Sequence, residues 1–104
     1  METIRVQILM GDEDYGSALG EALKRSYGGF IIYLGQGNSA GEKKEKAIGE
    51  ADIVLFDDMR RKSDRCVYLV EKPSQVDEEK HIYYKYDTGR NLANNVLSSY
   101  SRMV

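Results

Sequence analysis

Four acidic side chains and one lysine of this chain are placed where they could share one site. Each lies within or just after an apolar run typical of a buried strand; the five are Asp12, Asp57, Asp58, Glu71 and Lys85. If those runs form a parallel sheet, these residues lie near the carboxyl ends of the strands, where open α/β sheets bind their ligands. We therefore take this edge of the sheet as the candidate site.

Each of these acids also has a structural explanation. Asp12 opens the acidic segment 12–14, which precedes an apolar helical pattern. Carboxylates in that place favour the positive end of a helix dipole and can cap its first N–H groups, so we favour capping over metal binding. Asp57 can be a solvated acid at the end of a strand, and Glu71 can form an ion pair with Lys85.

The apolar pattern predicts five strands and three longer helices. The strands are short runs of apolar and β-branched residues at 3–10, 30–34, 53–56, 66–70 and 82–86. The first helix follows from the apolar spacing of three and four within 15–23, with Gly28-Gly29 as a left-handed stop. The second begins at a capping box that starts at Ser39, and the last follows Thr88.

Strands that alternate with helices predict a parallel sheet with helices on both faces. Two connections depart from that pattern, because 58–65 and 71–81 are short for a crossover that contains a full helix. We expect the helices after the third and fourth strands to be single turns or absent.

Composition excludes several functional classes. The chain has 104 residues, a formal net charge of −2, 41% hydrophobic and 31% charged residues, so we expect one globular domain over 1–104. The nearly balanced charge offers no basic surface for nucleic acid, and no apolar run approaches the ~20 residues that span a bilayer. The single cysteine indicates a reducing, cytoplasmic setting, and no Cys or His spacing predicts a metal site.

The segment 52–59, Asp-Ile-Val-Leu-Phe-Asp-Asp-Met, resembles the third strand of response-regulator (CheY-like) receiver domains. In that family the aspartate at the strand end, here Asp57, accepts a phosphoryl group. Lys85 stands where receivers carry a lysine at the end of their fifth strand. The resemblance covers nearly the whole chain and implies a flavodoxin-like, three-layer α/β sandwich with strand order 2-1-3-4-5.

Three segments taken together, 11–23, 51–59 and 82–97, are similar to a narrower group of degenerate receiver domains. These stand at the N-termini of MinD/ParA-type ATPases of pilus-assembly systems. In those proteins the domain is a protein-interaction module rather than a phosphorylation switch.

Two positions depart from the receiver pattern. Met10 and Gly11 stand where receivers have an acidic pair, and Glu71 stands where they have a serine or threonine. A carboxylate ~4 Å from a phosphoryl oxygen would cost about 4 kcal/mol per charge pair at an effective dielectric of about 20. The resemblance therefore implies that Asp57 is a vestigial phosphoacceptor, with Asp12, Asp58, Glu71 and Lys85 around it.

For function, we expect a non-enzymatic pseudo-receiver without a cofactor. Such a module would bind a protein partner, and it would suit the N-terminal part of a longer ATPase. The alternative is a genuine phosphorelay receiver that is autophosphorylated at Asp57 with Mg²⁺.

Two further readings carry less weight. Gly35, Gly37 and Ala40 match a dinucleotide-binding fingerprint, G-x-G-x-x-A, between a predicted strand and a predicted helix. A glycine-rich turn followed by a capping box explains the same residues. Cys66 and His81 could form a nucleophile and base, yet we expect Cys66 to be packed in a strand and His81 to lie on the surface.

Shortened helices should uncover part of the fourth and fifth strands. Alternation gives two candidate sets of residues, one on each face: Val67, Leu69, Ile82 and Tyr84, or Tyr68, Val70, Tyr83 and Tyr86. Tyrosine suits surfaces that alternate between water and a partner, so we expect Tyr68, Tyr83, Tyr84 and Tyr86 to mediate homodimerisation or docking onto an attached ATPase.

Overall fold

The structure, a computed structural model, describes residues 2–36, 51–60 and 65–103. Within them lie five strands, β1 to β5 in chain order, and two helices, α1 and α2. Their bounds are β1 Ile4–Met10, α1 Glu13–Ser26, β2 Phe30–Gln36, β3 Ile53–Phe56, β4 Cys66–Val70, β5 Ile82–Tyr84 and α2 Gly89–Met103. All strand pairs are parallel and the sheet order is β2-β1-β3-β4-β5, which confirms the predicted α/β flavodoxin-like architecture. The helix predicted from Ser39 lies outside the described residues.

Both helices pack on the same face of the sheet. The buried residues of this layer come from every strand and from the two helices: Ile4, Val6, Ile8, Met10, Leu19, Leu23, Phe30, Ile53, Leu55, Val67, Leu69, Tyr83, Leu92, Ala93 and Val96. A smaller cluster on the other face contains Leu9, Val54 and Phe56. Both faces of β3 are buried, and β3 is a continuous apolar run, as strands of parallel sheets commonly are. In β1 every residue except Arg5 is buried, and the polar Gln7 is among the buried ones.

Helix α1 begins at a side-chain cap. The Asp12 carboxylate accepts hydrogen bonds from the backbone N–H groups of Asp14 and Tyr15, at 3.0 and 3.2 Å. The helix ends at Ser26, followed by an extended Tyr27, so the predicted left-handed glycine stop is wrong. Gly29 is needed for a different reason: a Cβ there would lie 2.2 Å from the carbonyl oxygen of Glu2.

The short connections fold as predicted where the structure describes them. Between β4 and β5 there are two single 3-10 turns, Pro73–Gln75 and Glu78–Lys80. Asp77, between the turns, pairs with Ile82 through two antiparallel backbone hydrogen bonds of 3.0 Å and covers the outer edge of β5. After β3, residues 57–60 are not helical.

The first strand and the last helix meet at the end of the sheet where β1 begins. The Tyr100 hydroxyl donates to the Glu2 carboxylate at 3.2 Å, and the Tyr27 hydroxyl donates to the Glu2 carbonyl at 2.6 Å. Glu2 thus joins the start of β1 to the last turn of α2. Neither helix of the described ranges is long and apolar enough to cross a membrane.

Candidate functional site

Asp57 lies at the carboxyl end of β3, next to the end of β1. Leu9 and Phe56 are opposite one another in the β1–β3 register, so the residues that follow them are also neighbours. The backbone N–H of Gly11 donates to Asp57 Oδ2 at 2.9 Å, and Lys85 Nζ lies 3.6 Å from the same oxygen. One oxygen of the carboxylate therefore receives both a backbone donor and an ammonium.

Lys85 directly follows β5, and its backbone N–H extends the ladder by donating to the Val70 carbonyl at 2.8 Å. Its side chain is only 7% exposed, although it carries a charge. Besides Asp57, its ammonium lies 3.9 Å from Glu71 Oε1 and 4.8 Å from the centre of the Tyr15 ring. Two carboxylates and an aromatic face thus offset the desolvation of this buried cation.

Tyr15 holds the loop that carries Lys85. Its hydroxyl donates a hydrogen bond to the Lys85 carbonyl oxygen. Burial raises the pKa of Tyr15 to about 12, and the nearby Tyr86 and Asp57 add to that rise. Tyr15 is therefore a protonated donor at any physiological pH. The sequence predicts Tyr15 only as part of the apolar helix face, because nothing in its spacing indicates a polar contact with residue 85.

The predicted site residues divide into two groups. Asp57, Glu71 and Lys85 come together as expected, and the predicted ion pair of Glu71 with Lys85 is present at 3.9 Å. Asp12 is the α1 cap, and Asp58 bonds the backbone N–H and guanidinium of Arg60 at 2.9 and 3.1 Å. Both of these acids thus satisfy local backbone and side-chain donors.

The positions of the receiver acidic pair carry no carboxylate. Met10 is 2% exposed and packs in the helix-side core, while Gly11 contributes only its backbone N–H. Among the described residues, no group of three His, Cys, Asp or Glu side chains is arranged to hold a metal ion. In the described part of the chain, the charged side chains close to the partly buried Asp57 carboxylate are therefore Lys85 and the exposed Glu71.

A depression of about 260 Å³ adjoins Asp57 on the β4 side. Asp57, Glu71, Lys72 and Gln75 supply its polar lining, and Met59 contributes an apolar side chain that is 45% exposed. Its volume lies below the roughly 300–1,000 Å³ of typical small-ligand pockets, and it opens toward solvent between the end of β3 and the first 3-10 turn.

Two of the four predicted surface tyrosines lie beside this site. Tyr86 is 56% exposed, and its ring packs edge-to-face with Tyr84 at 5.8 Å and with Tyr15 at 6.1 Å. We call Tyr84 and Tyr86 the tyrosine patch. Tyr68 is half-buried on the sheet face opposite α1 and α2, where its ring lies 5.9 Å from Phe56.

Tyr83 is not a surface residue, contrary to our expectation. It is 3% exposed beneath α2, and its hydroxyl lies 2.7 Å from Ser99 Oγ. The register pairs Leu69 with Tyr83, so Tyr83 shares the helix-covered face with Val67 and Leu69. Both predicted face sets were therefore wrong: Ile82 and Tyr84 alternate with Tyr83 and belong with Tyr68 and Val70.

His81 is also half-buried rather than on the surface. Its backbone is left-handed, with φ of 60°, and its Nδ1 lies 2.8 Å from Ser99 Oγ and 3.1 Å from Arg102 Nη2. Arg102 Nη2 donates to the Glu78 carbonyl at 2.6 Å and lies 3.2 Å from the Tyr83 hydroxyl, which in turn is 2.7 Å from Ser99 Oγ. This polar network joins β5 and the turn before it to α2.

The network predicts a low titration midpoint for His81. Burial, and secondarily the Arg102 charge, lowers the pKa of His81 below its ordinary value of 6.5. The unfolded chain then binds more protons than the folded one, so stability falls as pH drops through 6.5 and levels off below the folded pKa. We expect the NMR titration midpoint of this single histidine to lie below 6.5 and to rise in Arg102→Gln. An unchanged midpoint in that variant would show that Arg102 does not act on His81.

The minor alternatives gain no support from the described residues. A Cβ at Gly35 would lie 2.2 Å from Leu9 Cδ2, so close packing of β2 on β1 accounts for this glycine. Gly37 and Ala40 lie outside the described residues. Cys66 opens β4 half-buried, and the Nδ1 of His81 is bonded to Ser99 and Arg102.

No protein-family model, curated protein or solved structure matches this chain.

Proposed function

We propose that this domain is a pseudo-receiver, a non-enzymatic signalling or assembly module that works through protein–protein contact in the cytoplasm. The observation that carries the proposal is the surroundings of Asp57 at the end of β1. Its carboxylate accepts a hydrogen bond from the Gly11 N–H at 2.9 Å, and the two positions that carry acids in receivers are Met10, which is buried, and Gly11. The end of β1 therefore supplies no carboxylate that could hold Mg²⁺ beside Asp57.

Glu71 supports the same conclusion. Its carboxylate lies 3.9 Å from Lys85 Nζ. The receiver resemblance implies a serine or threonine hydroxyl at this position, and a hydroxyl carries no negative charge. A phosphoryl group on Asp57 would have to share Lys85 with this second negative charge. The repulsion between two charges near 4 Å is about 4 kcal/mol at an effective dielectric of about 20, which opposes phosphorylation.

The tyrosine patch is the surface that we assign to a protein partner or to an attached ATPase domain. Tyr86 is more than half exposed, and its edge-to-face contacts with Tyr84 and Tyr15 hold its ring in place. Ordered aromatic rings lose little conformational entropy on binding and present both an apolar face and a polar hydroxyl. The patch therefore suits a surface that is dry in a complex and hydrated outside it.

A phosphorylation assay tests the proposal. The protein is incubated with Mg²⁺ and either acetyl phosphate or beryllofluoride, with a typical receiver domain as the positive control. We expect no mass adduct and no change in amide resonances, with the wild type and Asp57→Asn behaving alike. A saturable adduct that Asp57→Asn abolishes would overturn the proposal.

That outcome would support the second candidate, a phosphorelay receiver with Mg²⁺ bound during autophosphorylation of Asp57. One observation favours it: the aspartate–lysine pair that the receiver resemblance implies is present, with 3.6 Å between Asp57 Oδ2 and Lys85 Nζ. In that case Asp57 would supply the acceptor oxygen, and Lys85 would neutralise charge on the phosphoryl group.

A further inference from the structure

In the sheet of the described residues, β2 is an edge strand whose outer side pairs with no other strand. Ile4 donates to the Gly29 carbonyl across the β1–β2 pair, so the odd-numbered residues of β2 direct their backbone groups toward β1. Ile32 and Leu34 consequently direct their N–H and C=O groups away from the sheet. Among the residues that the structure describes, these groups have no hydrogen-bond partner.

The sequence of this edge lacks the features that usually prevent strand pairing. Residues 30–36 contain no charged side chain and no proline. Ile31 is 43% exposed and Leu34 is 54% exposed. Edge strands that do not pair are commonly short, charged, interrupted by proline or covered, and long apolar edges recruit another strand.

The opposite edge of the same sheet is partly covered by the chain itself. There Ile82, one of two β5 residues whose backbone groups point outward, exchanges two backbone hydrogen bonds of 3.0 Å with Asp77; Tyr84 is the other. Within the described residues, the chain thus covers part of the β5 edge with its own backbone and leaves the more apolar β2 edge unpaired. This contrast indicates that the β2 edge is the one adapted to binding.

A groove runs beside this edge on the α1 side. Ile32 and Leu34 form its floor, Gly20 lets the helix approach them closely, and Glu21 and Lys24 border it. Its volume is about 240 Å³. The groove carries one negative charge, on Glu21, and one positive charge, on Lys24. When two copies of the groove meet, the charges therefore balance.

We propose that the β2 edge binds the β2 edge of a second copy of this chain, antiparallel, to form a two-fold dimer with a continuous ten-stranded sheet. The unpaired backbone N–H and C=O groups belong to Ile32 and Leu34, one residue before and one after Tyr33. Two antiparallel copies of the strand centred on Tyr33 therefore bring these groups opposite one another. Ile32 of one copy faces Leu34 of the other, and each such pair exchanges both of its backbone hydrogen bonds, about four in all. On the α1 side, the two Leu34 side chains pack beside Ile32 and the two grooves merge.

The register makes a sharp test possible. Tyr33 lies on the two-fold axis as a non-hydrogen-bonded pair, in which Cβ atoms are about 4.5–5.5 Å apart and close to the span of a disulfide. Ile31 is two residues farther along each strand, which separates its two copies by roughly 14 Å. Both cysteines are introduced into a Cys66→Ser background, since Cys66 is the chain's own thiol. We expect mild oxidation to cross-link Tyr33→Cys into a covalent dimer and to leave Ile31→Cys monomeric.

A second measurement does not depend on cysteine chemistry. In sedimentation equilibrium at micromolar concentration we expect a mass of twice 11.8 kDa for the wild type. Leu34→Lys should return the mass to that of the monomer, while Met59→Lys, at an exposed apolar residue away from β2, should leave the dimer intact.

Three outcomes would overturn the proposal. They are a monomeric wild type, equal cross-linking of both cysteine variants, and a dimer that Leu34→Lys does not weaken. A dimer lost instead in Tyr86→Asp would place self-association at the tyrosine patch. The phosphorylation assay is independent of all three, so failure of this dimer would leave the pseudo-receiver proposal standing.

Discussion

Replacing Lys85 by methionine is expected to lower the free energy of unfolding by about 2–4 kcal/mol. Removing one member of a buried ion pair leaves the other charge buried without a counter-charge. This typically costs about 3–5 kcal/mol when both groups are buried. Lys85 is 7% exposed, but Asp57 is 20% and Glu71 69% exposed, so water screens part of the loss. Urea unfolding followed by circular dichroism measures the difference.

Two controls separate charge from packing in this experiment. Lys72→Met removes an exposed lysine from the rim of the same depression, and we expect it to change stability by less than about 0.5 kcal/mol. In the double variant Asp57→Asn/Lys85→Met, the asparagine oxygen still accepts from the Gly11 N–H, and the only carboxylate that loses its ion pair is Glu71, which is 69% exposed. The double variant should therefore be more stable than Lys85→Met alone. Equal stability of Lys85→Met and Lys72→Met would refute the role of the ion pair.

Replacing Gln7 by methionine is expected to have the opposite sign and to stabilise the protein by about 1–2 kcal/mol. Gln7 lies in the central part of the sheet and is 1% exposed, and its Oε1 has no hydrogen-bond partner among the described residues. An unpaired buried acceptor costs about 1–3 kcal/mol, and a side chain of similar shape without that acceptor removes the cost. For a domain of this size the melting temperature should rise by roughly 4–8 °C per kcal/mol.

The matched control for Gln7 is an exposed glutamine. Gln75, in the first 3-10 turn, is exposed, and Gln75→Met should change the melting temperature little. If Gln7→Met lowers the melting temperature, the Gln7 amide makes a favourable contact that outweighs its unpaired oxygen.

The fold could be predicted from the sequence because its main signals are local. Each strand is a short apolar run, and the helix spacing from Tyr15 to Leu23 identifies the face that packs on the sheet. The length of the connections alone indicated that no full helix follows β4. The end of α1 was predicted for the wrong reason, because Gly29 is required by its contact with the Glu2 carbonyl and not by its own backbone angles.

The sequence predicted an ion pair of Lys85 with Glu71 but not with Asp57. That these three residues lie close together was predictable, since they stand near the ends of parallel strands, which meet at one edge of the sheet. Contacts that depend on how a helix sits on the sheet were not. The bond from the Tyr15 hydroxyl to the Lys85 carbonyl depends on how the first turn of α1 lies relative to the segment after β5, and the Ser99 contacts of His81 depend on the position of α2. Neither pair has a spacing in the sequence that indicates contact.

The orientation of β5 shows why faces are harder to predict than strands. The turn before it ends with His81 in a left-handed conformation, and the pairing then starts with Ile82 opposite Tyr68. A shift of one residue would exchange the two faces, because side chains alternate along a strand. The tyrosine-rich segment carries similar residues on both faces, so its pattern could not show that Tyr83 is the buried one.

The contact of Glu2 with Tyr100 limits how a tethered partner can reach the candidate site. Both ends of the described chain lie where β1 begins, while Asp57 and the tyrosine patch lie where the strands end. The seven residues of β1 separate these two ends of the sheet, a distance of roughly 23 Å at 3.3 Å per residue. A domain joined after α2 therefore needs a connecting segment of at least about seven extended residues to touch the patch of its own chain. With a shorter connection, such a domain could contact only the patch of another molecule.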